Sequence, residues 1–469
     1  MTDIDKTCPF KIQLENTTEE NFVQCEELLR SLPGKRLVYK GSWRGQSVIV
    51  KLFIDPRSAL RHWGRESAGV KAIKDARVPT PDLLFSGQMD EGVPVLVFDY
   101  LPNAQTAKEV WDSSGTLEKK AKLLRHLVEL VGSLHDAGLV QEDLHLENFL
   151  VSGQQIYAID GDAIRVRNQG NPLDVDACSK NLSLLFAQLH PEDDVLIDAA
   201  LLHYSKHRNM SNEQLQSRLK STLPEVRRKR RHKYVKKSYR TCQEFVRVER
   251  PGKVTIFRRD AQGDALNNLL DDPDFFMRDG EILKDGKTST VVRVHVDGHD
   301  WVIKRYNMKS FWHVMSRFFR PTRASVSWGN AHRLKISGIA TPKAIAMIEN
   351  RFGPLRSTGY YICDFVDGPG AEVLFRDESV EPCKKEQAAR GFVLLFELFY
   401  SLGIAHGDCK AHNFLPRDKA PWVLDLDAMH ECFFRTRFER LFQADRRRFL
   451  YNWRSQPELL KWFDENLPR

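Results

Sequence analysis

The 469-residue chain contains no Cys-x-x-Cys pair; its eight cysteines (Cys8, Cys25, Cys178, Cys242, Cys363, Cys383, Cys409 and Cys432) are scattered singly. That spacing argues against a zinc site and against a disulfide framework, and it fits a reducing cytoplasm. Long apolar runs are missing too. The most apolar stretch, Phe392 to Tyr400, is far too short to cross a bilayer. The opening residues Met1-Thr-Asp-Ile-Asp-Lys lead into no apolar segment, so a secretory signal is not expected. A soluble or peripheral protein is the expectation. Residues 301–348 contain no Asp or Glu at all, a gap that matters below. What is present is ordinary for a globular chain, 42% apolar and 29% charged, and the length allows two or three domains. A net charge of +8 points to an anionic partner: nucleic acid, a membrane surface or a phosphorylated substrate.

The chain repeats itself. Asp99, Gly138, Asp143, Asn148, Phe149, Leu150, Asp160 and Asp162 recur at one constant offset as Asp364, Gly403, Asp408, Asn413, Phe414, Leu415, Asp425 and Asp427. Thr80-Pro81 and Thr341-Pro342 match at a slightly smaller offset, so only a small gap intervenes. The intervening segments agree. Val48 to Phe53 and Trp301 to Tyr306 are β-branched and aromatic, hence strands, with Lys51 and Lys304 in their middles. Leu123 through Leu134 and Phe392 through Leu402 follow helical spacing, each before a glycine suited to a helix stop. Each helix is followed by an Asp-rich loop and a short apolar strand ending in Asp160 or Asp425. The expected layout is an N-terminal extension (1–29), a first domain (30–210), a basic connecting region (211–264) and a second domain (265–469).

The loops Gln141-Glu-Asp-Leu-His-Leu-Glu-Asn148 and His406-Gly-Asp-Cys-Lys-Ala-His-Asn413 resemble the protein-kinase catalytic loop H-R-D-x-x-x-x-N, and a further Asp, Asp160 or Asp425, follows each at the same spacing. Phosphoryl transfer calls for these residue types. One carboxylate takes the acceptor hydroxyl's proton, an Asn amide and a second carboxylate hold Mg²⁺ against the phosphates of ATP, and a strand lysine fixed by a helix glutamate neutralises the α/β-phosphates. The candidates are Asp143 and Asp408 as bases, Asn148, Asp160, Asn413 and Asp425 as metal ligands, and Lys51, Glu66 and Lys304 at the nucleotide. A lone D-x-x-x-x-N is more often an Asx turn; two ordered sets with identical spacing reverse that weighting. Asp162 and Asp427 read as turn residues. For the glycine loop, Lys40-Gly-Ser-Trp-Arg-Gly45 and Lys284 to Thr290 are the candidates, and neither is G-x-G-x-x-G. Gly286-Lys-Thr288 is not a Walker A loop, because Gly280 lies one position too far upstream and a strand follows.

The copies differ. Trp63-Gly-Arg-Glu66 aligns with Trp328-Gly-Asn-Ala331, so Lys304 lacks a helix glutamate; His332, Asn330 or groups of the substrate are the candidates to replace it. Copy one has Gln141-Glu142 ahead of its aspartate, which leaves open which copy is the weaker catalyst.

Asp143 to Leu150, His406 to Leu415 and the tail Arg435 to Trp453 resemble the bacterial lipopolysaccharide core kinases, which phosphorylate heptose or Kdo sugars; the likeness covers roughly 30–205 and 278–469. Together with the repeat it implies an α+β fold of two bilobal protein-kinase-like domains in tandem, a departure from the family's usual single domain, with Asp143 and Asp408 as bases and Asn148, Asp160, Asn413 and Asp425 as metal ligands. It also implies ATP with Mg²⁺, a lipopolysaccharide core saccharide as acceptor, and work in the cytoplasm, peripherally at the inner membrane. A peptide acceptor is disfavoured: no Ala-Pro-Glu anchor follows Asp160, and the chain after Asp408 is short. A Ser/Thr protein kinase and a nucleotide-binding scaffold without catalysis are the rival readings. Two basic stretches suit an anionic surface, Arg227 to Arg240 with nine Lys/Arg and the aromatic-rich Lys309 to Arg320, against the plainer readings of a solvated helix face and a packed small-lobe helix. Nucleic acid is disfavoured, since no binding module accompanies the charge.

Overall fold

In the computed structural model the described residues are 8–15, 22–32, 34–89, 92–168, 170–286, 288–307, 321–352, 355–417 and 420–469, with no account of the side chains of 352–356. The expected interfacial stretch 309–320 lies outside the described residues. The chain divides into two units, one ending at Arg227 and one beginning at Arg228. Each is mixed α+β.

The first unit opens with six strands: β1 (Phe10–Gln13), β2 (Phe22–Leu32), β3 (Arg36–Trp43), β4 (Gln46–Phe53), β5 (Leu83–Gln88) and β6 (Pro94–Asp99). They form one antiparallel sheet in the order β1-β2-β3-β4-β6-β5. Alternation builds β3 and most of β4, where Leu37, Tyr39, Val48, Val50 and Leu52 are buried, while Val95, Leu96 and Val97 bury both faces of β6. Lys51, central in β4, pairs with Leu96 of β6 and Val38 of β3. Helix α1 (Ala59–Asp75) follows β4 and buries Glu66, Gly69, Val70 and Ile73. The helical part is organised by α2 (Leu117–Asp136), whose Leu123, Leu124, Leu127, Val128, Leu130, Val131 and Leu134 are buried, each worth up to about 1.5–3 kcal/mol of transfer free energy. Helices α3 (Val175–Phe186) and α4 (Ile197–His207) share that core.

The main sheet of the second unit has seven strands: β7 (Phe245–Arg250), β8 (Lys253–Arg258), β9 (Glu281–Gly286), β10 (Ser289–Val296), β11 (His299–Tyr306), β12 (Ala344–Phe352) and β13 (Leu355–Asp364). Their order is β7-β8-β12-β13-β11-β10-β9. The run β9-β10-β11-β13-β12 has the same connectivity as β2-β3-β4-β6-β5, and the extras fall at opposite edges, β1 in one unit and the β7–β8 hairpin in the other. Here α6 (Arg323–Ile336) stands where α1 stands, and α7 (Pro382–Leu402), α8 (Arg435–Tyr451) and α9 (Pro457–Asn466) enclose a phenylalanine-rich core around Phe392, Phe396, Phe449 and Trp453.

The boundaries differ from the sequence reading. The stretch expected as an N-terminal extension supplies β1 and β2, because Val23 and Cys25 are fully buried. The expected basic connecting region is ordered structure. Its first half is a 26-residue helix, α5 (Asn212–Lys237), with Leu215, Leu219 and Leu223 spaced four apart in the first unit's core. Its second half is the β7–β8 hairpin, anchored by Phe245, Val254 and Ile256. No helix among the described residues is long and apolar enough to cross a membrane.

Candidate active site

In both units the aspartate-rich loop is built the same way. Asp143 leads to a 3-10 turn at Leu146–Asn148, and Asp408 to one at Ala411–Asn413. The side-chain Nδ2 of Asn148 donates to the Asp143 carbonyl at 2.9 Å, and that of Asn413 to the Asp408 carbonyl at 2.9 Å. With the nitrogen so committed, the amide oxygen is the group left to serve as a ligand. The backbone of each Asn accepts from the residue before the second aspartate, Ile159 N–H at 2.9 Å and Leu424 N–H at 2.8 Å. Asp160 and Asp425 themselves sit in the left-handed region, φ 70° and 55°, a conformation Asp tolerates better than most residues and one often kept at functional sites.

The position ahead of the loop is His406 in one unit and Gln141 in the other. His406 Nε2 lies 2.9 Å from the Leu424 carbonyl; Gln141 Nε2 donates to the equivalent Ile159 carbonyl at 3.1 Å. Gln141 is therefore a positional substitute for the histidine. The Gly407 N–H donates to Asp445 of α8 at 2.9 Å, fixing the loop to the helical core. Exposure separates the two aspartates: the side chain of Asp143 is 68% exposed, with His145 at 3.4 Å. That of Asp408 is 21% exposed, held by Arg448 at 2.7 Å and Lys410 at 3.2 Å.

The lysines differ more. Lys51 Nζ lies 2.5 Å from Glu66, and Arg36 reaches the other oxygen at 3.3 Å. Burial alone would push the Glu66 carboxyl up, but the two cations outweigh it and hold it below the ordinary range. Asp160 goes the other way, raised by burial and by the charge of Glu66. Asp162 faces His62 Nδ1 at 2.7 Å and Arg65 Nε at 3.0 Å. In the second unit Lys304 bonds directly to Asp425 and, at 3.0 Å, to Asp427, which also pairs with Arg323 at 2.8 Å. There burial is outweighed by Lys304, and the Asp425 carboxyl is lowered.

Three expectations are corrected by this geometry. Neither Asn330 nor His332 serves Lys304. Asn330 Nδ2 donates to the carbonyls of Leu426 and Met429 at 2.8 and 3.0 Å, while His332 is buried against Trp328 and Phe245 with neither ring nitrogen partnered among the described residues. Asp427, read as a turn residue, is the second partner of Lys304. Finally, Lys40 to Gly45 is not the counterpart of Lys284 to Thr290. It runs through the β3–β4 turn, whose Arg44 and Gly45 have positive φ as Asp297 and Gly298 do in the β10–β11 turn. The loop matching the β9–β10 hairpin is Leu32 to Arg36.

A cavity of about 300 Å³ opens in the second unit. Val291, Val302, Tyr361 and Leu415 give it apolar walls suited to a flat ring, and Lys304, Asn413 and Asp425 converge at its polar end. Arg323, Lys410 and Arg448 were missed from sequence, having no partner there to give them meaning.

Lys304, Asn413 and Asp425 at one cavity, with Asp408 on the loop that leads to Asn413, make the chain a phosphotransferase by class. Residues 274–450 match the family model described as "Lipopolysaccharide kinase (Kdo/WaaP) family", which agrees with the resemblance in the sequence. No curated protein matches the chain. The solved structure titled "Structure of vaccinia related kinase 3" superposes with a TM-score of 0.31 and 11% identity, over 48% of this chain and 93% of that one.

Proposed function

We propose that the chain transfers the γ-phosphoryl group of ATP to a sugar hydroxyl, heptose or Kdo, of the lipopolysaccharide inner core. On this reading it consists of two kinase-like bilobal domains derived by duplication, and the second carries the chemistry. The observation that supports this most is the convergence of Lys304, Asn413 and Asp425 on one cavity inside the family-matched residues.

Lys304, now neutralised by Asp425 and Asp427, would meet the phosphates instead, and Asp427 would keep Arg323. Asp408 takes the proton of the attacking hydroxyl, with Asn413 and Asp445 fixing its loop. The candidate metal ligands, Asn148 with Asp160 and Asn413 with Asp425, are hard oxygen donors that suit Mg²⁺. Among the described residues no cluster of three or more His, Cys, Asp or Glu forms a closed metal cage, in keeping with an ion that completes its shell with phosphate and water. When bound, Mg²⁺ would supply charge neutralisation on the phosphates. The raised Asp160, crowded by Glu66, makes the first unit the better prepared to accept a cation. Its exposed Asp143 and its Gln141 suit nucleotide holding more than transfer.

The exposed cations Lys233, Lys236 and Arg240 support a peripheral location at the cytoplasmic face of the inner membrane, whose anionic lipids would attract them. The deciding experiment measures ATP consumption with purified core oligosaccharide for wild type, Asp143→Asn and Asp408→Asn, followed by mass spectrometry of the product. Phosphate on saccharide, lost in Asp408→Asn, supports the proposal; phosphate on protein, or no nucleotide bound at all, defeats it.

A further inference from the structure

The two aspartate-rich loops are alike in backbone and unlike in charge. Around Asp408 the loop carries Lys410 and His412, where the equivalent positions of the first unit carry His145 and Glu147. Lys410 Nζ lies 3.2 Å from one Asp408 oxygen, and Arg448, reaching in from α8, lies 2.7 Å from the other. His412 lines the cavity beside Asn413. Lys410 and Arg448 are 48% and 51% exposed, so both cations face solvent while touching the carboxylate that would receive the proton. The other carboxylate at this loop, Asp445, is buried beneath the Gly407 N–H, so at the exposed rim Lys410 and Arg448 face only the single charge of Asp408. The folded core does not need them there: Gly407 N–H to Asp445 and Asn413 to the Asp408 carbonyl already hold the loop.

From this geometry we infer that the second unit selects an acceptor carrying an anionic group, a carboxylate or a phosphate, next to the hydroxyl it phosphorylates, and that Arg448 is the residue that recognises it. The inference rests on the sugar-kinase reading and narrows its acceptor. Lys410 is close enough to the base to serve the transferred phosphate, which leaves Arg448, planar and exposed, to grip the acceptor's anion through paired N–H donors. His412 adds a polar wall where a glutamate, as in the first unit, would repel such a group.

The test uses the full-length protein with three saccharide acceptors: one ending in a carboxylated ulosonic acid, one in a phosphorylated heptose and one in an unmodified heptose. For wild type, kcat/KM favours one of the two anionic acceptors over the neutral one, and the preferred arm shows whether the anion is carboxylate or phosphate. Arg448→Ala lowers the anionic-to-neutral ratio of kcat/KM about 10- to 100-fold, mainly through KM, and Arg448→Lys restores part of it. His412→Glu, which imports the first unit's residue and leaves both cations on Asp408, lowers the same ratio in the same direction. Equal use of all three acceptors by wild type overturns the inference while leaving the kinase reading intact. So does a uniform fall in kcat for every acceptor in Arg448→Ala, which would make Arg448 a prop for Asp408. Transfer to no saccharide at all overturns both readings together.

Discussion

Asp160 and Asp425 occupy the same backbone conformation after the same hairpin, yet their carboxyls are pushed in opposite directions. In the first unit the lysine is claimed by Glu66, so Asp160 is left beside a negative neighbour. In the second unit no such glutamate exists, and the lysine falls onto Asp425 and Asp427. One residue on a helix thus decides whether the loop aspartate is an unmet demand for positive charge or a satisfied partner. The lesson is that an unchanged motif does not carry an unchanged charge state.

The comparison breaks most sharply at the two loop aspartates, Asp143 and Asp408. Asp408→Asn is expected to lower turnover about 10²–10⁴-fold, whereas Asp143→Asn leaves most of it. A steady-state assay of phosphate transfer by both variants checks this, and the opposite ranking would move the chemistry to the first unit. Next come the ion pairs. Glu66→Ala strands a mostly buried Lys51 and should cost the first unit about 3–5 kcal/mol in denaturant unfolding. Asp427→Ala leaves Lys304 its other partner, Asp425, and should cost the second unit only about 1–3 kcal/mol. Equal losses would remove the distinction between the two lysine settings.

Buried histidines give a pH test in each unit. Burial lowers His135 to about 4 and His332 to about 3, so both stay neutral in the fold while the unfolded chain takes up protons below about pH 6.5. Their stabilising contribution is therefore complete above that pH and is lost on acidification, at up to about 1.4 kcal/mol per pH unit for each until the folded value is reached. His332→Phe should make this acid loss shallower at little cost at neutral pH, since neither ring nitrogen has a partner among the described residues. His135→Phe should cost more, because His135 lies 2.6 Å from the Tyr204 hydroxyl and 2.9 Å from Asn181. Melting curves from pH 8 to pH 4 separate the two. The smallest effect carries the clearest sign. In chelator, Asp160→Asn should raise the melting temperature by relieving Glu66, and Asp425→Asn should lower it by abandoning Lys304; shifts of the same sign would refute the charge contrast.

Much of this site was legible in the sequence because fixed spacing fixes geometry locally. Asp143 to Asn148 and Asp408 to Asn413 lie within one turn, so their bonds follow from the motif itself. The lysine strands were readable from β-branched alternation, and the absence of acid across 301–348 announced that Lys304 would need another partner. Which partner was not readable, since Lys304 meets residues 121 and 123 positions away and only the packing of α6 on the loop brings them together. Strand β2 escaped notice because polar residues surround Val23 and Cys25, and the β7–β8 hairpin because Phe-Val-Arg-Val-Glu-Arg reads as an extension of the basic run. Leu215, Leu219 and Leu223, spaced four apart, carry the signal of a helix that the reading of this stretch as a connecting region passed over.

The spacing of α1 against the turn after Asp160 depends on two missing methyl groups. A Cβ on Gly69 would come within 1.9 Å of the Gly161 carbonyl oxygen, and one on Gly161 within 2.4 Å of the Glu66 carbonyl oxygen. The equivalent positions of the second unit are Leu334 and Leu426, both buried, so that unit keeps its helix and loop apart with side chains. Mutational drift is thereby rationed unequally. In the first unit two uncharged sites are as unforgiving as the lysine they serve, because widening that seam pulls the carboxylate off its cation; in the second, where no carboxylate rides on the helix, the width is set by the leucines and by the Asn330 amide on the turn's carbonyls.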